Sequence, residues 1–144
     1  MTVVRAALVL VTAMSVAAQA QAASVTVTVT GVRDSRGVVR VAICPRADFL
    51  KPHCPYFGLA PSETGSVVVT INGVPPGIYA AQAFQDANDD GILSRNWLGM
   101  PKEGMGFSRD APMRFGPPSF ADADFTLGAT DAALSFRLRY FTPP

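Results

Sequence analysis

Ser24-Val25-Thr26-Val27-Thr28-Val29-Thr30-Gly31-Val32 is the stretch that decides the fold. Valines at 25, 27 and 29 alternate with threonines at 26, 28 and 30. Successive side chains of a strand leave opposite faces, so the pattern puts an apolar stripe on one side and hydroxyls on the other. Both residue types are β-branched and suit a pleated surface. Asp34-Ser35-Arg36-Gly37 then reads as a turn, with Gly37 free to take positive φ. Val38 to Cys44 returns as the hairpin partner.

The same period continues outward. Gly65 to Ile71 is a third strand, punctuated by Asn72-Gly73 and Pro75-Pro76-Gly77. Ile78 to Gln85 is a fourth. Ala133 to Phe141 closes the chain, with Leu134, Phe136, Leu138 and Tyr140 on one face and Arg137 and Arg139 on the other. Phe120 to Leu127 reads as a turn of helix leading into a strand. Val39, Val41, Ile43, Val67, Val69, Ile71, Ala81 and Ala83 join the valines of the first strand on the inward side. With 12 Gly and 12 Pro, long helices are disfavoured. Short strands with regular turn signals indicate an all-β protein, an antiparallel β-sandwich of immunoglobulin-like type. One long ordered loop, about 86–118, interrupts it; loops of that length are usually functional or disordered.

The first residues are a separate matter. Met1 to Arg5 is a weakly basic start, and Ala6 to Ala18 carries no charge. Ala18-Gln19-Ala20 and Ala20-Gln21-Ala22 fit a small-x-small cleavage pattern. The apolar run is shorter than the about 20 residues a membrane span needs. Residues 1–22 therefore read as a secretory signal peptide, the competing reading being an N-terminal anchor, and 23–144 as a single domain. The expected localisation is secreted or periplasmic, with no membrane span in the mature chain. Lys+Arg number 12 and Asp+Glu 11 in all; cleavage removes only Arg5, so the mature net charge is zero. No basic stripe exists, which argues against nucleic acid as a partner. The chain has 1 His, so a three-His zinc site is excluded and any Ser-His-Asp or Cys-His machine must use His53.

Asp86-Ala87-Asn88-Asp89-Asp90-Gly91-Ile92-Leu93-Ser94 is the most specific chemical motif. Oxygen donors at 86, 88 and 90 are spaced two apart, and Gly91 permits a sharp turn. With the Ile92 carbonyl as a fourth ligand, this is the first part of an EF-hand-type calcium loop. The bidentate Glu of a true EF-hand belongs where this chain has Trp97, so the EF-hand itself is excluded. Ser94, Asn96, Glu103 or Asp131 can complete the shell, Glu103 being the best candidate. The competing reading is an Asx-rich turn without metal, its charges offset by Lys102, Arg95 or Arg109. Trp97, Phe107 and Phe115 are candidate ligand-facing aromatics; alternatively they form a satellite core with Phe120.

Cys44 and Cys54 are an even pair, which in an oxidising compartment favours a disulfide. The alternative is a copper(I) site built from Cys44, His53, Cys54, Met100, Met105 and Met113.

Three linked motifs resemble a known family. They are Pro76-Gly77-Ile78-Tyr79-Ala80, then Phe84-Gln85-Asp86 through Gly91, then Gly99-Met100-Pro101-Lys102-Glu103-Gly104-Met105-Gly106-Phe107-Ser108. A late Pro118-Ser119-Phe120-Ala121-Asp122-Ala123-Asp124-Phe125 completes the pattern. Together they resemble domain of unknown function 2141, a family of small secreted bacterial proteins. The resemblance implies a signal peptide and an all-β fold, and no established activity. The Pro-Pro-Gly-x-Tyr turn and strand also look like those of transthyretin-like and carboxypeptidase-regulatory sandwiches, a likeness of fold alone. Arg109 departs from the Asn that relatives often carry there, and the disulfide expectation rests on this sequence alone.

Three functions compete. The leading one is a non-enzymatic binding or structural module with a structural calcium, whose partner is a protein, glycan or small ligand. The second is a carboxylate-based hydrolase acting on glycans, pairing Glu103 with Asp86 or Asp90. The third is a periplasmic copper-handling protein using Met and His.

Overall fold

The computed structural model describes residues 20–143, so all but the last three residues of the 1–22 signal-peptide assignment lie outside the described residues. Ten-residue β1 (Ala23–Val32) turns at Gly37 into β2 (Val38–Pro45). Gly37 takes φ +64°, as the sequence requires. β3 (Tyr56–Pro61), β4 (Gly65–Val74) and β5 (Gly77–Asp86) follow. The long segment after β5 contains β6 (Met105–Phe107), a 3-10 turn (Ser108–Asp110) and α1 (Phe120–Ala123). β7 (Asp124–Leu127) and β8 (Ala132–Arg137) complete the chain. Ser119 caps α1: its hydroxyl accepts from the Asp122 amide while the Asp122 carboxylate accepts from the Ser119 amide, a reciprocal capping box.

Two sheets pack face to face, as expected of a sandwich. One has the order β4-β1-β8; the other runs β3-β2-β5-β6, with β7 also paired to β5. The register aligns the inward stripes across strands. Val27 lies opposite Val69 on β4 and Leu134 on β8, and Val29 opposite Val67 and Phe136. In the facing sheet Val41 lies between Gly58 and Ala83, and Ile43 between Tyr56 and Ala81. Within this sheet the β-branched side chains of β2 are thus flanked by the small Ala81 and Ala83 of β5. A Cβ on Gly58 would stand 3.0 Å from the Val69 Cγ1, so this position has no room for a larger residue without a shift. All the inward assignments are buried except Leu134, which is partly buried against the same core.

Three features depart from the sequence reading. β8 runs parallel to β1, so the sandwich is not wholly antiparallel. Alternation specifies which face a residue occupies and is blind to strand direction; the β7–β8 connection carries the chain from one sheet to the other and delivers β8 beside β1. Regular pairing also ends at Arg137, and the expected continuation to Phe141 is reduced to a bridge between Met105 and Arg139. Finally, β3 and β6 add to the five expected strands and the segment at 120–127.

The outer face of β5 and β6 is not left to solvent. A second, smaller core forms there from Ala80, Phe107, Ala111, Phe120 and Ala123, with Phe49 and Met113 packed on it. Phe49 meets both Phe107 and Phe120 edge-on, at centroid distances of 5.8 and 5.6 Å. Ser108 ties this layer to the sheet: its buried hydroxyl accepts from the Ala81 amide and donates to the Ala123 carbonyl.

Candidate functional site

Asp86 is the last residue of β5 and is fully buried. Arg40 on β2 pairs with Phe84 across the strands, so Asp86 lies diagonally from Arg40 on the same outer face. A long side chain spans that diagonal. The Arg40 Nε donates to the Asp86 Oδ2 at 2.6 Å, and its Nη2 to the Asp89 Oδ1 at 2.7 Å. The remaining Asp86 capacity faces the loop that follows: the Asp90 amide donates to Oδ1 at 3.1 Å and the Gly91 amide to Oδ2 at 2.7 Å. Burial is the largest single influence on the Asp86 carboxyl and pushes its pKa up. Arg40 and the two amides together outweigh it, and hold the pKa below the ordinary value.

The loop winds tightly around this carboxylate. Asp89 and Gly91 both take positive φ, +53° and +77°. Asp90 accepts from the Ile92 amide at 2.9 Å and from the Asn88 side-chain nitrogen at 2.8 Å. Asp86, Asn88 and Asp90 therefore share one turn: the Asn88 and Asp90 side chains touch each other, while the Asp86 carboxylate is taken up by the Asp90 and Gly91 amides and Arg40. The opposing charge comes from Arg40, which sequence spacing did not single out. Lys102 and Arg95 form no ion pair with this turn, and Arg109 instead pairs with Asp124 at 3.2 Å. Ile92 has an exposed side chain. Among the described residues no group of three or more His, Cys, Asp or Glu side chains is arranged to hold a metal ion.

Glu103 straps the loop from the other side. The Gln85 amide donates to the Gly104 carbonyl at 2.9 Å, which draws the 103–104 segment alongside the end of β5. Glu103 is thereby buried, and its two oxygens accept from the Ala87 amide at 3.2 Å and the Ser94 amide at 3.0 Å. It neither pairs with Lys102 or Arg109 nor swings free. Burial pushes its pKa above the ordinary range; the Ser94 and Ala87 amides pull it down, and the charges of Asp86 and Asp90 push it up again. Beside it, Gln85 is buried and accepts from the Tyr140 hydroxyl while donating to the Asp34 carbonyl at 2.9 Å. The Arg33 guanidinium lies 3.9 Å over the Tyr140 ring, fastening the C-terminal segment to the β1–β2 turn.

This clasp borders a groove of about 660 Å³. Its floor is the outer face of β5 and β6, including Phe84, Met105 and the edge of Phe107. The β2–β3 loop forms one wall through Leu50, Lys51 and Pro52; residues 91–101 form a second, and residues 113–117 a third. A smaller cleft of about 240 Å³ under Phe57 and His53 shares Pro52, Gln82, Phe84 and Gly91 with it, so the two are continuous.

The candidate aromatics divide here. Phe107 is buried in the second core. Trp97 and Phe115 are not part of that core: they are 90% and 107% exposed, and Phe115 lines the groove. Cys44 and Cys54 form a disulfide that closes the loop carrying Leu50 and Lys51. Their sulfurs are bonded to each other, so they are not thiolate ligands for copper. His53 opens on the small cleft, whereas Met100, Met105 and Met113 line the larger groove.

No curated protein and no solved structure matches this chain. A family model does, over residues 27–135, a span that runs from within β1 through most of β8 and takes in the loop motif and the Glu103 segment. The chain belongs to domain of unknown function 2141, described as an uncharacterized protein conserved in bacteria.

Proposed function

We propose that this chain is a secreted or periplasmic binding module without enzymatic activity. The observation that carries the reading is the groove: an apolar trough on an outer sheet face, walled by three loops that are themselves pinned by a disulfide, a buried carboxylate clasp and a second core. Its volume falls within the about 300–1,000 Å³ typical of small-ligand sites. The chain has 5 Met, and the three that remain once residues 1–22 are removed, Met100, Met105 and Met113, all line it. Flexible, polarisable thioethers suit a surface that adapts to an apolar occupant. The disulfide supports an oxidising compartment.

Hydrolysis is not favoured. Asp86 and Glu103 have their oxygens turned to backbone amides and to Arg40, and neither lines the groove. A second reading, a structural calcium at the loop, is favoured by one observation: Gly91 makes the sharp positive-φ turn that the Asp-x-Asn-x-Asp-Gly pattern demands, with Asn88 and Asp90 in contact. An ion on Asp86 would compete with Arg40 for the charge of one carboxylate, Arg40 occupying Oδ2 and the Asp90 amide Oδ1.

The test is methyl NMR on mature protein labelled at methionine, titrated with a panel of apolar fragments and, separately, with calcium. The binding reading expects saturable shifts at Met100, Met105 and Met113, abolished by Phe84→Arg in the groove floor. Methyl signals unmoved by every fragment would refute it. Calcium-dependent shifts of the 86–92 amides would establish the second reading.

A further inference from the structure

We infer that the groove takes a single-chain amphiphile with an anionic head, a fatty acid. The inference rests on the reading of the chain as a binding module and names the class of its ligand.

Charge is the first ground. Lys51, Arg95 and Arg114 line the groove, and no Asp or Glu lines either it or the adjoining cleft. None of these three cations is in an ion pair among the described residues. Of the acids within five residues of these cations, Asp90 is engaged with Asn88 and the Ile92 amide and Asp110 with the Arg137 amide, while Asp48 lies three residues from Lys51 without pairing to it and outside the groove lining. In a mature chain of zero net charge, a groove that gathers three unpaired cations and excludes carboxylates attracts anions.

The second ground is what the groove lacks. Apart from those cations, Gln82 is the one polar side chain that lines it. Pro52, Pro101 and Pro117 in its walls have no amide proton to give. A peptide laid here would find few side-chain partners for its backbone groups, a need an alkyl chain does not have. A hydrocarbon tail needs only the apolar surface offered by Phe84, Ile92, Leu98, Met105 and Phe115.

The experiment titrates mature protein with octanoate, decanoate and dodecanoate, with dodecyltrimethylammonium, with an acidic apolar peptide, and with anionic phospholipid vesicles. All amphiphiles are kept below micelle formation. Calorimetry gives the affinity. The fluorescence of Trp97, the chain's 1 Trp and 90% exposed beside the groove residue Leu98, reports occupancy by a blue shift. Dodecanoate should saturate one site, with affinity rising about fourfold per methylene along the series. The ammonium amphiphile should bind at least about tenfold more weakly, and Arg95→Glu/Arg114→Glu should reverse that order. The more conservative Arg95→Gln/Arg114→Gln, checked for an unchanged urea midpoint, should lose the preference without reversing it. Equal binding of the two head groups would overturn the inference while leaving a binding module. Binding of the peptide or the vesicles in place of free dodecanoate would overturn it as well. Silence from every probe, together with unmoved methionine methyls, would refute the binding-module reading itself.

Discussion

Arg40→Met isolates the clasp on which the loop depends. In the parent, a fully buried carboxylate has one cationic partner, at 2.6 Å, and two backbone amides. Removing the guanidinium leaves Asp86 charged, buried and short of its main counter-charge. Breaking a buried pair from one side costs about 3–5 kcal/mol. The Arg40 side chain is 27% exposed, so water can partly replace it, and the lower end, about 3 kcal/mol, is expected. Asp89 is 58% exposed, and its arm of the same pair is worth less than about 1 kcal/mol. The assay is urea unfolding of the parent, Arg40→Met, Asp89→Ala and the double variant Arg40→Met/Asp86→Asn. Arg40→Met should lower the midpoint several times further than Asp89→Ala. The double variant should recover part of the loss, because no uncompensated charge is then buried. Arg40→Met should also lose less at acid pH, where Asp86 takes a proton. Calcium gives a further arm: with Arg40 gone, Asp86 lacks its counter-charge, and added calcium should restore stability to the variant more than to the parent. Equal losses in Arg40→Met and Asp89→Ala would refute the clasp.

Gly37→Ala should cost at least about 2 kcal/mol by urea unfolding, because φ is +64° and the new methyl would drive into the backbone of Asp86 and Ala87. Replacing both cysteines by serine should cost about 2–4 kcal/mol in the same assay and weaken groove binding, since the bond closes the loop bearing Leu50 and Lys51. Trp97→Ala and Phe115→Ala should leave the midpoint within about 0.5 kcal/mol, both side chains being almost wholly exposed, while Phe115→Ala weakens amphiphile binding. The two loop carboxylates have opposite pH signatures. Glu103, raised above its ordinary 4.5, holds an extra proton in the folded state, so its contribution falls as pH rises from that value through its folded pKa. Asp86, lowered below 3.8, contributes fully above that value and is lost as pH falls through its folded pKa. Glu103→Gln should therefore flatten the stability profile above the ordinary Glu range and leave the acid limb in place, as read by urea midpoints across pH.

The period-2 segments made the sandwich legible because one face of each strand is buried and the other is not. β3 escaped notice because both of its faces are apolar: outward Phe57 and Leu59 are 70% and 49% exposed, while Gly58 and Pro61 break the strand signature. β6 spans three residues, too few for any period to register. The loop motif was legible as a cluster of oxygens around a tight turn, but its partner was not. Arg40 sits between Val39 and Val41 and reads as the solvated side of a strand. Only the register that sets it diagonal to Asp86 turns it into a counter-ion. Glu103 misleads in the opposite direction. Flanked by Lys102 and Gly104 it looks mobile, yet the bond from the Gln85 amide to the Gly104 carbonyl sets it beside β5, and the Ala87 and Ser94 amides hold its buried carboxylate.

These features divide the β3-β2-β5-β6 sheet by face. Its inner side carries small residues and valines against the opposite sheet, which is the ordinary source of stability in a sandwich. Its outer side carries Arg40, Gln82, Phe84 and Met105, a mixture that would serve poorly as a solvated surface and too polar to be a core. The 86–118 segment resolves that conflict in two ways along its length. Its later part buries Phe107 under Phe120 and Phe49, completing a core. Its earlier part is held away from the sheet by the Asp86 and Glu103 carboxylates, which bind the loop's own amides and leave Phe84 and Met105 accessible in a trough. A loop needed only for stability would have collapsed onto that face and buried its apolar side chains. Here Ile92, Leu98, Met100 and Phe115 remain exposed around it. The Asp86 and Glu103 carboxylates thus spend their hydrogen bonds on the shape of the loop beside the trough, in keeping with a buried ion pair adding little to stability by itself.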